Sequence, residues 1–389
     1  MNINITSDLT SFLKRKVITR NTYEWLKPLH EKEIADLEEI KIAAREQNFY
    51  KNGNGDDNDD DENIFTTSTT TLRGIEGTTD TVVSFVTDSN SSGHGNKVWH
   101  ASIATCRYLK DEFLPGFISK RRKNICSERF LFKSLELGAG TAVPSFFLAQ
   151  LLLSFYDETR GTEGNQPPKS IIRITDAKHY RNIMQLIRSV GIQESLCKGE
   201  GKNVVEVEVH PHNWGDHIDL RFESAKETGN DDNDNRYSSQ YDLIIVSDCI
   251  YNPLYHDVLL ISLSEALALP VVDGTKRGGK AVVSFSLHGN VDDSTIWKFL
   301  DQKIPSKTRM NDDNSNNNSD VVWRLKARCV SSTTQPQREA EQLIVDREGW
   351  NMEKTMNEVF GMVTEGIKPE RWLAYVYEIT WVRDEPRLD

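Results

Sequence analysis

The chain has 389 residues, a net charge of −12 and only 37% hydrophobic residues, room for one large or two ordinary domains but a low apolar share for a globular protein. The polarity is local: "GNGDDNDDDEN" (53–63), "ETGNDDNDN" (227–235) and "NDDNSNNNSD" (311–320) together carry 13 acidic and no basic residues, so the rest of the chain is close to neutral. A near-neutral remainder with no long Lys/Arg stripe has no electrostatic footprint for nucleic acid, and direct RNA or DNA binding is disfavoured.

The three tracts cannot bury enough apolar surface to offset chain entropy and read as solvated, disordered loops. They lack the fixed glycine and terminal glutamate of an EF-hand loop. No run of 18 apolar residues is present, so no membrane span is expected. Cys106, Cys126, Cys197, Cys249 and Cys329 are scattered, with neither a CxxC pair nor a Cys/His cluster. That usage predicts no metal site and a reducing, cytoplasmic compartment. The first residues lack the apolar core of a signal peptide, and the basic stretch "SFLKRKVITR" (11–20) leaves a transit peptide as the lesser reading, opposed by Asp8.

Taken in chain order, residues 30–46 place Ile34, Leu37, Ile40 and Ala44 on one stripe, the pattern of an amphipathic helix that packs on the domain or on a partner. Short β-type segments follow the first acidic tract. "KVWHASIATCRYLKDEFL" (97–114) then reads as a helix carrying Ile103, Cys106, Tyr108 and Leu109 inward. From there strands and helices alternate: strands at 131–137, 170–176, 203–209, 241–248 and 280–288, with helices at about 143–156, 178–190 and 255–268. Alternation of this kind requires crossover connections and a mostly parallel, doubly wound α/β sheet. Residues 301–335 read as an insertion, 336–348 as a helix, and 372–382 as a long aromatic strand that joins an antiparallel pair closing the sheet.

The decisive stretch is "LELGAGTAVPS" (135–145), where a strand ends in two glycines and a proline-started helix begins. In an open α/β sheet, ligands sit beyond the C-terminal ends of the strands. Gly138, Ala139 and Gly140 form a turn that lets backbone approach a ligand without a Cβ in the way. Two ligand classes use this device. A dinucleotide fold needs glycine or alanine at the third position, where this chain has the β-branched Val143. S-adenosylmethionine is the other, and it is also suited by the acid before the turn, Glu136. Asp176 ends the next strand, where a carboxylate accepts ribose hydroxyls or, in the plainer reading, caps a helix. After the third strand, "HPHNWGD" offers Trp214 as an apolar wall for adenine or as a core residue.

"LELGAGTAVPS", the "TDAKHY" acid, "NWGD" and "SDCIYN" in this order resemble methyltransferase family 16, seven-strand S-adenosylmethionine-dependent enzymes rich in protein lysine methyltransferases. The resemblance covers about residues 97–300 and 339–382. It implies a Rossmann-like seven-stranded sheet with an antiparallel C-terminal strand pair, filling residues 65–389 with disordered inserts near 227–240 and 303–320. Residues 1–64 would then be a helical extension with an acidic tract. It also implies S-adenosylmethionine as cofactor, held by Trp99, Glu136, Gly138, Ala139, Gly140, Asp176, Trp214 and Ser247. Asp248 and Tyr251 of the D-x-x-Y signature become the catalytic pair, and Asn252 and His288 meet the substrate. The sequence is similar to the nicotinamide N-methyltransferase-like branch, whose members methylate translation elongation factor 1-alpha. It departs from that branch in having "SLHGN" where a "PHRP"-like sequence is usual. A small-molecule N-methyltransferase and a non-catalytic cofactor-binding scaffold are the competing readings.

Overall fold

A computed structural model describes residues 9–52, 65–72, 81–88, 98–122, 131–159, 169–196, 204–218, 240–270, 278–286, 299–300, 307–308, 322–332 and 374–383. The three acidic tracts, the helix expected at 336–348 and His288 lie outside them.

The chain opens with helices α1 (Leu9–Lys14) and α2 (Arg20–Asn52), then an antiparallel hairpin of β1 (Phe65–Leu72) and β2 (Thr81–Asp88). Next come α3 (His100–Tyr108), a π-helical turn (Leu109–Phe113) and α4 (Leu114–Arg122). The alternating part follows: β3 (Phe132–Leu137), α5 (Val143–Thr159), β4 (Ser170–Asp176), α6 (Tyr180–Leu196), β5 (Val205–Pro211), β6 (Leu243–Ser247), α7 (His256–Ala266) and β7 (Lys280–Ser286). The last strands are β8 (Lys307–Thr308), β9 (Val322–Ser332) and β10 (Ala374–Arg383).

The main sheet has the order β5-β4-β3-β6-β7-β10-β9-β8. β3 to β7 are mutually parallel, and β10 runs antiparallel between β7 and β9. Discounting the two-residue edge strand β8, this is the seven-stranded sheet with an antiparallel C-terminal pair that the motifs imply. All six residues of β3 are buried, as the central strand of a sheet covered on both faces must be. The chain leaves β3 toward β5 in one direction and returns to lay β6 and β7 on the other side. The order therefore reverses between β3 and β6, and the crevice beyond their C-terminal ends is the topological switch point.

One region departs from the sequence reading. Residues 322–332, assigned to an insertion, form β9, which pairs with β10 from Trp323–Arg383 to Ser332–Tyr375. Its "VWRLKARCV" run alternates as a strand half open to water should, but the Asn-rich tract before it masked the signal. The N-terminal segment, read as a helical extension that packs on the domain or on a partner, lies against the domain. Leu9, Phe12, Val17, Ile18 and Leu26 are buried in the same cluster as the helices α5 and α6, and the N–H of Val209 on β5 donates to the carbonyl of Val17 at 2.8 Å. Of the expected stripe, Ile34 is half-buried, while the side chains of Leu37, Ile40 and Ala44 lie outside the described residues.

A charge cluster around the buried Glu378 ties the antiparallel pair to α3. Glu378 on β10 accepts from Tyr108 and Lys280 and, at 2.7 Å, from Arg328. Burial works to raise the Glu378 carboxyl, but hydrogen bonds from Lys280, Tyr108 and Arg328 hold it down at about 2. A folded value below the unfolded one contributes stability above pH ~4.5 that disappears as pH falls toward 2. Acid titration of thermal stability is therefore expected to show Glu378→Gln well below the wild type at neutral pH, with the gap closing between pH ~4.5 and ~2. A constant gap across that range would assign the role of Glu378 to packing instead.

Candidate active site

Of the residues singled out from the sequence, the Gly138–Gly140 turn, Asp176, Trp214 and Asp248 lie at or just beyond the C-terminal ends of the parallel strands, and His288 lies outside the described residues. Gly138 (φ 68°) and Gly140 (φ 53°) both sit in the left-handed region, as does Ala142 (φ 54°) just before α5. A Cβ on Gly138 would lie 2.7 Å from Trp214 Cζ2 and 2.9 Å from Cys249 Sγ. The glycine is thus demanded twice, by its backbone conformation and by the ring and thiol packed against it. Trp214 is half-buried between that turn and Tyr255, which meets it edge-on at 6.0 Å.

Asp176 links the neighbouring strand end to this turn. Its Oδ2 accepts from the Gly140 N–H at 2.7 Å, and its Oδ1 accepts from Ala177 N at 2.8 Å and Asn182 Nδ2 at 3.0 Å. Burial raises its pKa, against the pull of the Gly140 hydrogen bond. These three bonds leave a carboxylate, with roughly four acceptor positions, short of its full acceptor capacity. The plainer reading of Asp176 as a helix cap does not apply, since α6 starts only at Tyr180.

Glu136 lies beneath the turn, fully buried. Its Oε2 accepts from Ser145 N, in the first turn of α5, at 3.2 Å, while Oε1 has no hydrogen-bond partner. Burial pushes its pKa up to about 8, the direction expected of a carboxyl cut off from water.

On the other side of the crevice, Asp248 follows β6 in the left-handed region (φ 57°). Its N–H donates to Ser284 O at 2.8 Å, and its Oδ1 accepts from Ser286 N at 3.4 Å, pinning it between the ends of β6 and β7. Tyr251 stands exposed on the following loop, its phenol shifted upward chiefly by partial burial. Asn252 caps the 3-10 turn Pro253–Tyr255, its side-chain oxygen accepting from Leu254 N at 3.1 Å. Trp99 is half-buried at the start of α3, and Ser102, three residues on, pairs with Ser247 Oγ at 3.1 Å.

Three features of the site went unread in the sequence. The Cys249 thiol, in a variable place of the D-x-x-Y signature, donates to Leu137 O at 3.2 Å beneath the glycine turn, and burial holds its pKa well above the ordinary value. A hydroxyl cluster joins Ser102, Ser247, Ser284 and Thr105, with Ser247–Ser284 at 3.3 Å and Thr105–Ser284 at 2.5 Å. A serine inside the apolar run "KAVVSFS" was the available signal. Finally, Ser262 on α7 accepts from Gly215 N at 2.8 Å and faces His212 Nε2 at 3.1 Å, fixing the loop that carries Trp214. Burial pulls His212 down to about 4, so the ring is neutral.

A family model described as lysine methyltransferase matches residues 79–272, half of the chain. The chain belongs to this methyltransferase family. The matched span contains Trp99, Glu136, the Gly138–Gly140 turn, Asp176, Trp214, Asp248 and Tyr251, and excludes α1, α2 and, with Ser284 and Ser286, β7, as well as β9 and β10. A curated relative, the protein N-terminal and lysine N-methyltransferase EFM7 of Candida glabrata, is 29% identical over 197 residues, which take in 50% of this chain and 56% of that relative. The chain thus spans little more than half the length of the relative it matches. Among solved structures, a loganic acid methyltransferase with SAH is 9% identical with a TM-score of 0.33, over 75% of this chain and 94% of that one. MNMC2 from Aquifex aeolicus is 12% identical with a TM-score of 0.27, over 58% of this chain and 62% of that one.

The residues present fit the family's cofactor. The Gly138 turn keeps the strand end free of side chain, the Asp176 carboxylate has acceptor capacity beyond its three bonds, and Trp214 supplies an apolar ring against the turn. Among the described residues, no group of three or more His, Cys, Asp or Glu could hold a metal ion, and no helix is long and apolar enough to cross a membrane.

Proposed function

We propose that the protein is an S-adenosylmethionine-dependent protein N-methyltransferase directed at lysine, with translation elongation factor 1-alpha as its acceptor and the cytoplasm as its place of action. The observation that carries this reading is the pairing across the switch point: the Gly138–Gly140 turn held by Asp176 on one strand end, and Asp248 held in a left-handed conformation on the next. The family match and the EFM7 relative support the acceptor class.

The cofactor supplies a methyl group on a sulfonium, a good leaving group, so the chain's task is to align and desolvate the acceptor. Gly138, Ala139 and Gly140 provide main chain for the cofactor's amino-acid end, Asp176 its hydroxyls, and Trp214 the adenine. A lysine amine is protonated in water at neutral pH and must release its proton to solvent, helped by burial, before it can attack. Asp248 orients the amine, and Tyr251 walls the approach with its ring. Leu254 and Tyr255 stand exposed beside Tyr251, an apolar rim that suits a macromolecular acceptor better than a closed small-molecule pocket does.

The test is transfer of radiolabelled methyl from S-adenosylmethionine into a protein extract, resolved by size. A labelled band near the mass of elongation factor 1-alpha, with label on lysine after hydrolysis, is expected. Label confined to small molecules would replace the protein acceptor with a metabolite, and tight cofactor binding without any label would make the protein a scaffold.

A further inference from the structure

The first turn of α6 does two jobs with three consecutive residues. Tyr180 and Arg181 face the N-terminal helix α2: His30 Nδ1 lies 2.7 Å from Tyr180 Oη, and Arg181 NH2 lies 3.1 Å from Glu33 Oε1. The third, Asn182, donates from Nδ2 to Asp176 Oδ1 at 3.0 Å. His30 is buried, and the Arg181–Glu33 pair is partly shielded from water. Below this contact the same N-terminal segment is anchored by Leu26 in the core and by the Val209-to-Val17 hydrogen bond beside β5.

A short turn held at two adjacent residues cannot rotate about the helix axis without moving the third. Asn182 in turn sets one oxygen of the Asp176 carboxylate, whose other oxygen holds the Gly140 N–H. On the opposite side, the loop before α6 is tied to the Trp214 loop, Lys178 N donating to Asn213 Oδ1 at 2.9 Å and Lys178 Nζ to Asp216 Oδ2 at 2.6 Å. Asp176 therefore sits on a segment braced from both flanks, and one brace comes from a helix outside the matched span 79–272.

We infer that His30 and Glu33 of the N-terminal helix are positioning residues for the cofactor site, acting through Tyr180, Arg181 and Asn182 on Asp176. The inference rests on the reading of Asp176 as the cofactor's hydroxyl acceptor. Placing a carboxylate in advance saves the ordering cost at the moment of binding. Loss of the brace should appear in cofactor affinity, leaving the acceptor's KM alone.

The experiment is a double-mutant cycle on the full chain, with His30→Ala, Tyr180→Phe and the pair, plus Glu33→Gln as a mild exposed-side variant and Asp176→Ala as the reference. Binding of S-adenosylhomocysteine is measured by calorimetry, alongside melting temperature. The loss of one hydrogen bond predicts about three- to tenfold weaker binding for each of His30→Ala and Tyr180→Phe, and no further loss when they are combined. Glu33→Gln should weaken binding in the same direction, with the melting temperature nearly unchanged. Wild-type affinity in the brace variants, beside a large loss in Asp176→Ala, overturns the inference and leaves the site reading intact. Losses that add in the pair and track the melting temperature also overturn it, by making the contact structural only. Undiminished binding in Asp176→Ala removes the reading of Asp176 and the inference with it.

Discussion

Gly138→Ala is expected to weaken cofactor binding by about 10- to 100-fold, because strain of about 1–3 kcal/mol at the turn converts at about 1.4 kcal/mol per tenfold. At φ 68° an alanine is strained, and its Cβ would meet Trp214 Cζ2 at 2.7 Å and Cys249 Sγ at 2.9 Å. Neither neighbour can yield freely. The indole is packed against Tyr255, and the thiol is buried with hydrogen bonds to the carbonyls of Leu137 and Ser247. The substitution is expected to lower stability by about 1–3 kcal/mol. Cofactor titration followed by tryptophan fluorescence reads the binding loss directly. Affinity within threefold of the wild type would show that the turn does not face the ligand.

Asp248→Asn should separate chemistry from binding. Asparagine accepts the left-handed conformation that Asp248 occupies at φ 57°, and it retains an oxygen for Ser286 N. The fold and cofactor site should therefore survive the change. Only the charge is lost. Methylation is expected to fall by about 100-fold in kcat, the order that loss of acceptor orientation costs, with cofactor affinity within about threefold. Asp248→Ala adds backbone strain to the loss of charge, which makes it the poorer probe. Full activity in Asp248→Asn would confine Asp248 to its hydrogen bonds with β7.

The expected contrast between the two variants follows from where they lie. Gly138 follows β3 and Asp248 follows β6, adjacent parallel strands on either side of the reversal in strand order. The first side holds the turn, Asp176 and Trp214. The second holds Asp248 and the exposed loop that begins with Tyr251. Cofactor and acceptor effects should therefore divide between the two strand ends.

Much of this was legible in the sequence because it is written in short range. A glycine pair between an apolar strand and a proline-started helix, an aspartate ending "SIIRITD" and another ending "YDLIIVSD" are local patterns. Strand and helix periods place them at the same end of successive parallel strands without any knowledge of packing. The doubly wound class and most of the site follow from that alone.

What depended on contacts between distant segments was not legible. That residues 9–33 are braced against α6, that β9 supplies the sheet's penultimate long strand, that Cys249 lies under Gly138, and that four hydroxyls from α3, β6 and β7 meet in one cluster each require side chains up to 180 positions apart to touch, as Thr105 and Ser284 do. No local periodicity encodes such meetings, since a buried serine and an exposed one read alike along the chain. Backbone chemistry and hydrophobic period determined the scaffold and the ligand-facing turn. Tertiary packing decided how rigidly that turn is held and from which distant helix the bracing comes.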